Sequence, residues 1–221
     1  KITIIITSYN KERFIQNTIK SCIDQNYKNY EIIVVDTGSK DKTKYLINKF
    51  NNRLIKKIFI KKKYLIPSKN QMYAIKLGIK KSNGSIICLL DGDDIFKKNK
   101  LKEINYFFSL RKNLSIVQDK VEVISLKEIK DFNLNTSRIR RIFLPKFYPT
   151  SSFSLRKHEF KNFLKYSTSK FELLEIDLML YLYKIFKLNN NTIIQKNLTC
   201  YLFDENGISS KYKKFNYIWF K

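Results

Sequence analysis

The chain has 221 residues, 43% apolar and 14% aromatic, enough for one globular domain or one with a small appendage; intrinsic disorder, collagen and low-complexity scaffolds are excluded. Lys and Arg number 44 against 19 Asp and Glu, a formal charge of +25, which points to an anionic membrane surface, a phosphorylated ligand or nucleic acid as partner. The basic residues are nearly all Lys in a chain rich in Asn, Ile, Tyr and Phe, a composition in keeping with an AT-rich genome that fills solvent-facing positions with Lys; base readers favour the Arg fork, so nucleic acid is not expected.

Ile2–Thr7 is a β-branched run that reads as a buried strand. From Glu12 to about Gln25 the spacing is helical, with Phe14, Ile15, Ile19, Cys22 and Ile23 on one face. Glu31–Asp36 is a second buried strand, Asp41–Phe50 a helix and Leu54–Ile60 a third strand. Ser68 is placed to cap a helix running to about Lys80. Ser85–Leu90 is a fourth strand that runs straight into Asp91–Asp94, and Asn99–Leu110 is a further helix. Continuous apolar strands alternating with helices are the pattern of an α/β domain whose mostly parallel sheet is covered on both faces. Ligands bind such sheets beyond the carboxyl ends of the strands, where Thr7–Asn10, Asp36–Asp41 and Asp91–Asp94 all fall.

After Leu110 the pattern changes. Ser115–Ser125 and Ile139–Phe147 read as strands, Glu172–Phe186 as an apolar helix and Thr192–Phe203 as extended, and the tail Lys211–Lys221 mixes Lys with aromatics. With no repeat and no linker, residues 1–110 and 111–221 read as two halves of one globule. Cys22, Cys88 and Cys200 are far apart and odd in number; the first two lie in apolar surroundings and read as core residues of a protein in a reducing cytoplasm. No apolar stretch approaches the ~20 residues of a membrane span. The start at Lys1, directly before a strand, suggests that an initiator Met or a longer leader has been removed.

The sharpest chemistry is Asp91-Gly92-Asp93-Asp94. Three carboxylates in four residues repel one another, and a plain turn needs only one Asp and a Gly. The natural compensation is a divalent cation, Mg2+ or Mn2+ for an all-oxygen donor set, held so that positions stay free for a diphosphate. Asp36, at the end of the second strand, is placed to accept hydrogen bonds from a ribose or base, with Gly38 allowing close approach. Asp41 reads as a helix cap. The five glycines form neither G-x-G-x-x-G nor G-K-[ST], so dinucleotide oxidoreductases and P-loop NTPases are disfavoured.

In order along the chain stand Thr7-Ser8-Tyr9-Asn10, then Gln25-Asn26-Tyr27 through Glu31-Ile32-Ile33-Val34-Val35-Asp36-Thr37-Gly38-Ser39-Lys40-Asp41-Lys42-Thr43, then Lys69-Asn70, then Leu89-Leu90-Asp91-Gly92-Asp93-Asp94. This series, spanning roughly residues 1–110, resembles the family-2 glycosyltransferases of GT-A fold. The resemblance implies that Tyr9 and Asp36 hold the nucleotide base, with Thr7 and Glu12 in the same pocket. It implies that Asp91 and Gly92 face the ribose side, that Asp93 coordinates the metal under the diphosphate, and that Asp91 and Asp94 support that site. Lys69 and Asn70 match the Arg-Asn pair of the nucleotide cleft, with Lys where the family usually has Arg, so the fork is lost.

The family's general base belongs to an E-D pair before an apolar run; here Leu174-Glu175-Ile176-Asp177-Leu178 offers Glu175 or Asp177. The two lie about 200° apart on a helix, so only one can point into a site. His158, the single histidine, reads as part of an exposed charged helix start, Arg156–Glu159, before it reads as a third metal ligand. Thr150-Ser151-Ser152 matches a small polar stretch near the family's acceptor.

The resemblance thus implies a metal-dependent, inverting transfer of a sugar from a nucleoside-diphosphate sugar, UDP-linked first, to a hydroxyl of a surface glycan such as capsule or lipooligosaccharide on a lipid carrier. Lys211–Lys221 would then hold a cytoplasmic enzyme peripherally at the anionic inner face of the membrane, or serve equally as a docked last segment or a subunit contact in a homo-oligomer. The rival classes are an inactive nucleotide-sugar-binding module, favoured by the imperfect E-D pair, and a sugar nucleotidyltransferase, disfavoured because Thr7–Arg13 contains no glycine.

Overall fold

The computed structural model describes residues 1–61, 64–125, 149–170, 176, 179–180, 183–184 and 190–203. In chain order the described elements are β1 (Ile2–Ser8), α1 (Ile15–Ile23), β2 (Tyr30–Asp36), α2 (Thr43–Asn48), β3 (Ile55–Phe59), α3 (Pro67–Lys81), β4 (Ile86–Asp91), β5 (Ile95–Phe96), α4 (Lys100–Leu110) and β6 (Ile116–Ser125). A 3-10 turn (Thr150–Ser152), β7 (Phe153–Arg156), α5 (Lys157–Lys170) and β8 (Asn191–Phe203) follow.

Eight described strands form one sheet in the order β3-β2-β1-β4-β7-β6-β8-β5. The first four are mutually parallel. β7 lies antiparallel between β4 and β6, β8 runs parallel to β6, and β5 closes the far edge antiparallel to β8. The α/β expectation is therefore met, with the parallel portion built by the first 91 residues.

The central strands are apolar because both faces are covered. Ile4, Ile6, Ile32, Val34, Cys88 and Leu90 pack on one side with Ile15, Ile19 and Cys22 of α1 and with Leu101, Ile104 and Phe108 of α4. Ile5, Ile87 and Leu89 pack on the other with Met72, Ile75 and Ile79 of α3, Phe160 and Phe163 of α5, and the helical residues Ile176, Met179, Leu180 and Tyr183. β3 is an edge strand, half-buried, and its Lys56 and Lys57 discourage pairing with another chain. Cys22 and Cys88 are fully buried free thiols, as expected of core residues.

Some expectations change. The third helix begins at Pro67, with Ile66 as N-cap and no side-chain cap, so Ser68 does not cap it; Pro suits the first helical position because its missing N–H would have no partner there. The strand expected over 139–147 and the tail 211–221 lie outside the described residues, as does most of the helix expected over 172–186. Among the described residues no helix is long and apolar enough to cross a membrane.

Candidate functional site

Parallel pairing aligns the strand ends that carry the motifs. Ser8 is in register with Asp36, and Thr7 with Asp91, so the loops after β1, β2 and β4 open on one edge of the sheet. The first two loops are latched together. The Asn10 N–H donates to Ser39 Oγ (2.8 Å) and the Lys40 N–H to Asn10 Oδ1 (2.9 Å). The Lys11 N–H donates to Thr43 Oγ1 (2.7 Å), the Glu12 N–H to Asp41 Oδ2 (3.1 Å), and the Lys42 N–H to Glu12 Oε2 (2.9 Å). Asn10 adopts φ 52° to make this turn, a left-handed conformation that Asn tolerates better than most residues. Asp41 also accepts the Thr43 N–H (3.0 Å), but the N-cap of α2 is Lys42, so Asp41 stands one position before the cap expected of it.

Asp36 is buried. Its Oδ1 accepts the N–H groups of Gly38 (3.1 Å) and Ser39 (3.0 Å), and its Oδ2 accepts the Ser39 hydroxyl. Gly38 takes φ 85°, so glycine is needed there. Asp36 and Glu12 thus both lie in the double loop; Asp36 shapes its inner wall and Glu12 its exposed rim. Tyr9 is half-buried in the same loop. Asn70, also buried, braces the entry to α3: its Oδ1 accepts the Tyr64 N–H (2.9 Å), and its Nδ2 donates to the carbonyls of Tyr64 and Ile66. Lys69 is half-buried beside it.

The Asp91–Asp94 turn leaves β4 with the Gly92 N–H on the Thr7 carbonyl (2.9 Å) and the Asp94 N–H on the Asp91 carbonyl (3.0 Å). Gly92 is required by proximity: a Cβ there would lie 3.0 Å from the Thr7 carbonyl oxygen and 3.3 Å from both Lys11 Cγ and Ser8 Cβ. The three carboxylates diverge. Asp91 Oδ1 accepts Thr7 Oγ1 (3.1 Å) and Gln71 Nε2 (2.6 Å). Asp93 is partly exposed and ion-paired to Lys11, whose stem lies over Gly92. Asp94 points inward, its Oδ2 accepting the Ser151 hydroxyl (2.5 Å) and its Oδ1 the Leu202 N–H (3.0 Å).

Ser151 joins two of these acids, because its Oγ also accepts the Asp91 N–H (3.0 Å). Beneath it lies a fully buried ion pair, Lys100 with Asp119. The Lys100 ammonium also donates to the Ser151 carbonyl (3.3 Å) and to Thr199 Oγ1 (2.9 Å), and sits 4.7 Å from the centre of the Phe96 ring. Thr199 in turn donates to Asp119 Oδ2 (2.8 Å).

Electrostatically, burial and crowding disfavour ionising all three carboxyls of the turn at once. Burial and the neighbouring Asp93 push the Asp91 carboxyl up to about 7, against the pull of Thr7, Lys11 and Gln71. Burial, Asp93 and Asp91 push Asp94 well above the ordinary carboxylate range. Burial pulls the Lys11 ammonium down, but Asp93, Asp91 and Asp94 outweigh it and leave it above its usual value. Among the described residues no three His, Cys, Asp or Glu side chains form a ready cage for a metal ion. What the site offers instead is the half-open carboxylate of Asp93 and the second oxygen of Asp91, hard donors that fit Mg2+ or Mn2+ when a diphosphate supplies the remaining ligands. Asp94 has both oxygens engaged below the turn.

Glu175 and Asp177 lie outside the described residues; their neighbours Ile176, Met179 and Leu180 are helical and buried. His158 stands exposed at the start of α5, with Nε2 3.3 Å from Glu159 Oε1, as its charged context foretold. Thr150–Ser152 are buried beneath the acidic turn. Sequence reasoning missed Lys11, Gln71, Lys100, Asp119 and Thr199. Asp119 stands between Gln118 and Lys120 in β6, so no sequence signal marked it as buried, and the lysines were hidden among their own kind.

The comparisons with known proteins bear on family and fold. The model of glycosyl transferase family 2 matches residues 3–172. A UDP-Glc:alpha-D-GlcNAc-diphosphoundecaprenol beta-1,3-glucosyltransferase of Escherichia coli, WfgD, is 33% identical over 128 residues, covering 58% of this chain and 48% of WfgD. An uncharacterized glycosyltransferase of Haemophilus influenzae is 35% identical over 106 residues, covering 48% of this chain and 41% of its own length. The chain therefore spans about half the length of these relatives or less. Among solved structures, S. aureus TarS 1–349 in complex with UDP-GlcNAc superimposes with a TM-score of 0.68 at 20% identity, over 95% of this chain and 60% of that one, which supports the GT-A fold. With the family model covering most of its length and the acidic turn at the end of β4 in place, the chain belongs to glycosyl transferase family 2.

Proposed function

We propose that this protein transfers a sugar from a nucleoside-diphosphate sugar, UDP-linked first, to a hydroxyl of a lipid-carried surface glycan, with inversion at the anomeric carbon and with Mn2+ or Mg2+ as cofactor. The observation that carries this is the Asp91–Asp94 turn, set at the carboxyl end of β4 against the double loop that follows β1 and β2. The donor assignment is supported by TarS, solved with UDP and with UDP-GlcNAc, and by the name of WfgD, which specifies UDP-Glc and a diphosphoundecaprenol-linked GlcNAc.

Asp93, aided by the second oxygen of Asp91, would hold the metal, which when bound neutralises the diphosphate and stabilises it as a leaving group. Thr7 and Gln71 fix the Asp91 carboxylate by gripping its other oxygen. The inner wall built by Asp36, Gly38 and Ser39, with Tyr9 beside it, would receive the nucleoside. Lys69 lies at the start of α3 near the braced loop and would add positive charge at the cleft. Glu175 or Asp177 would take the proton of the acceptor hydroxyl. The hydroxyl oxygen then bonds to the anomeric carbon from the face opposite the nucleotide, the anomeric carbon–phosphate oxygen bond breaks, and the nucleoside diphosphate leaves. The Lys211–Lys221 segment would attract an anionic membrane surface, where a lipid-linked acceptor resides.

The test is calorimetric titration of nucleoside diphosphates and their sugars, with and without Mn2+, into the wild-type protein and Asp93→Ala. Metal-dependent binding of one nucleotide by the wild type, lost in Asp93→Ala, is the expected result. Absence of binding to any nucleotide, with the two proteins indistinguishable, overturns the proposal.

A further inference from the structure

The acidic turn carries its own cation. Among the described residues, Lys11 is the one basic side chain ion-paired with any of Asp91, Asp93 and Asp94. It differs from the lysines that coat the surface in three ways. Its backbone is fixed, with its N–H bound to Thr43 Oγ1 (2.7 Å) and its carbonyl accepting the N–H groups of Phe14 (3.0 Å) and Ile15 (2.9 Å). Its stem is laid across Gly92, where a Cβ would come within 3.3 Å of Lys11 Cγ. Its side chain is only 19% exposed, against 61% for Lys196, a surface lysine that also forms an ion pair. The ammonium is thus delivered to Asp93 Oδ2.

A divalent cation held by Asp93 would compete for that same carboxylate. Two cations on one carboxylate repel each other strongly, so a metal binding at Asp93 would drive the ammonium off it. Free Mn2+ or Mg2+ brings no new partner for the displaced charge. A diphosphate would: with the metal it would bring oxygens that can accept the ammonium as it leaves Asp93, so that the lysine changes partner instead of losing one.

Resting on the donor reading above, we infer that Lys11 is a built-in competitor for the metal site: its ammonium holds Asp93 in the nucleotide-free protein, excludes free divalent cations, and passes to the diphosphate when metal and nucleotide arrive together. Metal and nucleotide binding are therefore coupled through one side chain, and by reciprocity each tightens the other by the same factor.

The test is a set of calorimetric titrations of MnCl2 into wild-type protein, Lys11→Met and Lys11→Arg, each with and without saturating UDP, with thermal unfolding of each variant confirming that it is folded. Lys11→Met should bind Mn2+ alone about tenfold more tightly than wild type, and the factor by which UDP tightens Mn2+ binding should fall by at least as much. Lys11→Arg, which keeps the charge, should behave as wild type. If Lys11→Met binds Mn2+ alone no more tightly than wild type while the wild type binds Mn2+ with UDP, the competitor role is refuted and the donor reading stands. If the wild type binds no Mn2+ even with UDP, the metal reading itself fails and this inference falls with it.

Discussion

Replacing Lys100 by Met removes the ammonium from a pocket in which neither it nor Asp119 has any exposed surface. Asp119 would keep one donor, Thr199 Oγ1, and lose its only countercharge there, while the Ser151 carbonyl would lose a charged donor. Breaking a buried pair from one side typically costs about 3–5 kcal/mol, because the remaining charge stays desolvated. For a chain of this size that is a fall in Tm of roughly 6–20 °C. The double variant Lys100→Met/Asp119→Val should recover most of the loss, since an apolar pair fills the same space and Thr199 can still donate to the Ser151 carbonyl (3.3 Å). The pH sign is also fixed. In Lys100→Met the Asp119 carboxyl, already pushed up by burial, has a folded pKa above its unfolded one, so the native state holds the extra proton and the deficit against wild type grows as pH rises through that folded value. Urea unfolding followed by circular dichroism at pH 5 and pH 8 reads all three effects. A Lys100→Met protein within about 1 kcal/mol of wild type at pH 8, or a double variant no more stable than the single one, would refute the reasoning, because a buried unpaired carboxylate cannot be that inexpensive.

Three further outcomes are expected. Gly84→Ala should lower stability by about 1–3 kcal/mol in urea titrations, since its Cβ would sit 2.7 Å from the Thr3 backbone nitrogen and 2.9 Å from the Ile2 carbonyl carbon, atoms of β1 that cannot move aside; unchanged stability would mean that the strand start is softer than its contacts imply. Glu31 accepts donors from Lys1, Thr3, Asn83 and Gly84, and although burial opposes it, these hold the carboxyl down at about 2. With the folded pKa depressed, the stabilisation, up to about 3 kcal/mol, is complete above the unfolded value of about 4.5 and is lost as pH falls toward 2; Glu31→Gln should thus be less stable than wild type at pH 7 and equal to it near pH 2. The buried thiols of Cys22 and Cys88, the second pushed up to about 11 by burial, should resist a water-soluble thiol reagent in the native protein and react fully in denaturant; rapid native labelling at either site would contradict the packing.

The first half of the fold was legible because its signals are local. The β-branched runs at Ile2–Thr7 and Glu31–Asp36 and the apolar run ending at Leu90 mark strands buried on both faces, and in a parallel sheet the polar residues that follow must meet at one edge. In the second half Ser115–Ser125 and Thr192–Phe203 were legible and stand as β6 and β8; what stayed hidden along the chain are the short strands. β5 has two residues and β7 four, too few for a periodicity, and both exist through partners at least about 35 positions away. In the site, Asp91 and Asp93 were legible as a cluster of like charge, and Asp94 as its third member, but the inward turn of Asp94 was not, because Ser151 and Leu202 cause it from afar. Asn70 shows the converse: a residue marked for the cleft whose visible hydrogen bonds hold its own loop. Lys11 and Lys100 were invisible for a statistical reason, since in a chain so rich in lysine no single one stands out until burial selects it.

The cradle of Asp94 has a consequence for how the molecule is made. The parallel strands β1 to β4 are complete by residue 91, but the amide that holds Asp94 Oδ1 belongs to Leu202, 108 residues later. At ordinary rates of synthesis that interval is roughly 5–20 s, during which the nascent chain carries a nearly complete parallel sheet with the outer edge of β4 unpaired and its acidic turn without its brace. An open central strand of this kind is the place where a growing chain pairs wrongly or attracts a neighbour. The reactive end of the sheet therefore acquires its final shape last, when β7 and β8 arrive, so defects in the late strands should appear as loss of ligand binding and as aggregation before the early strands lose their secondary structure.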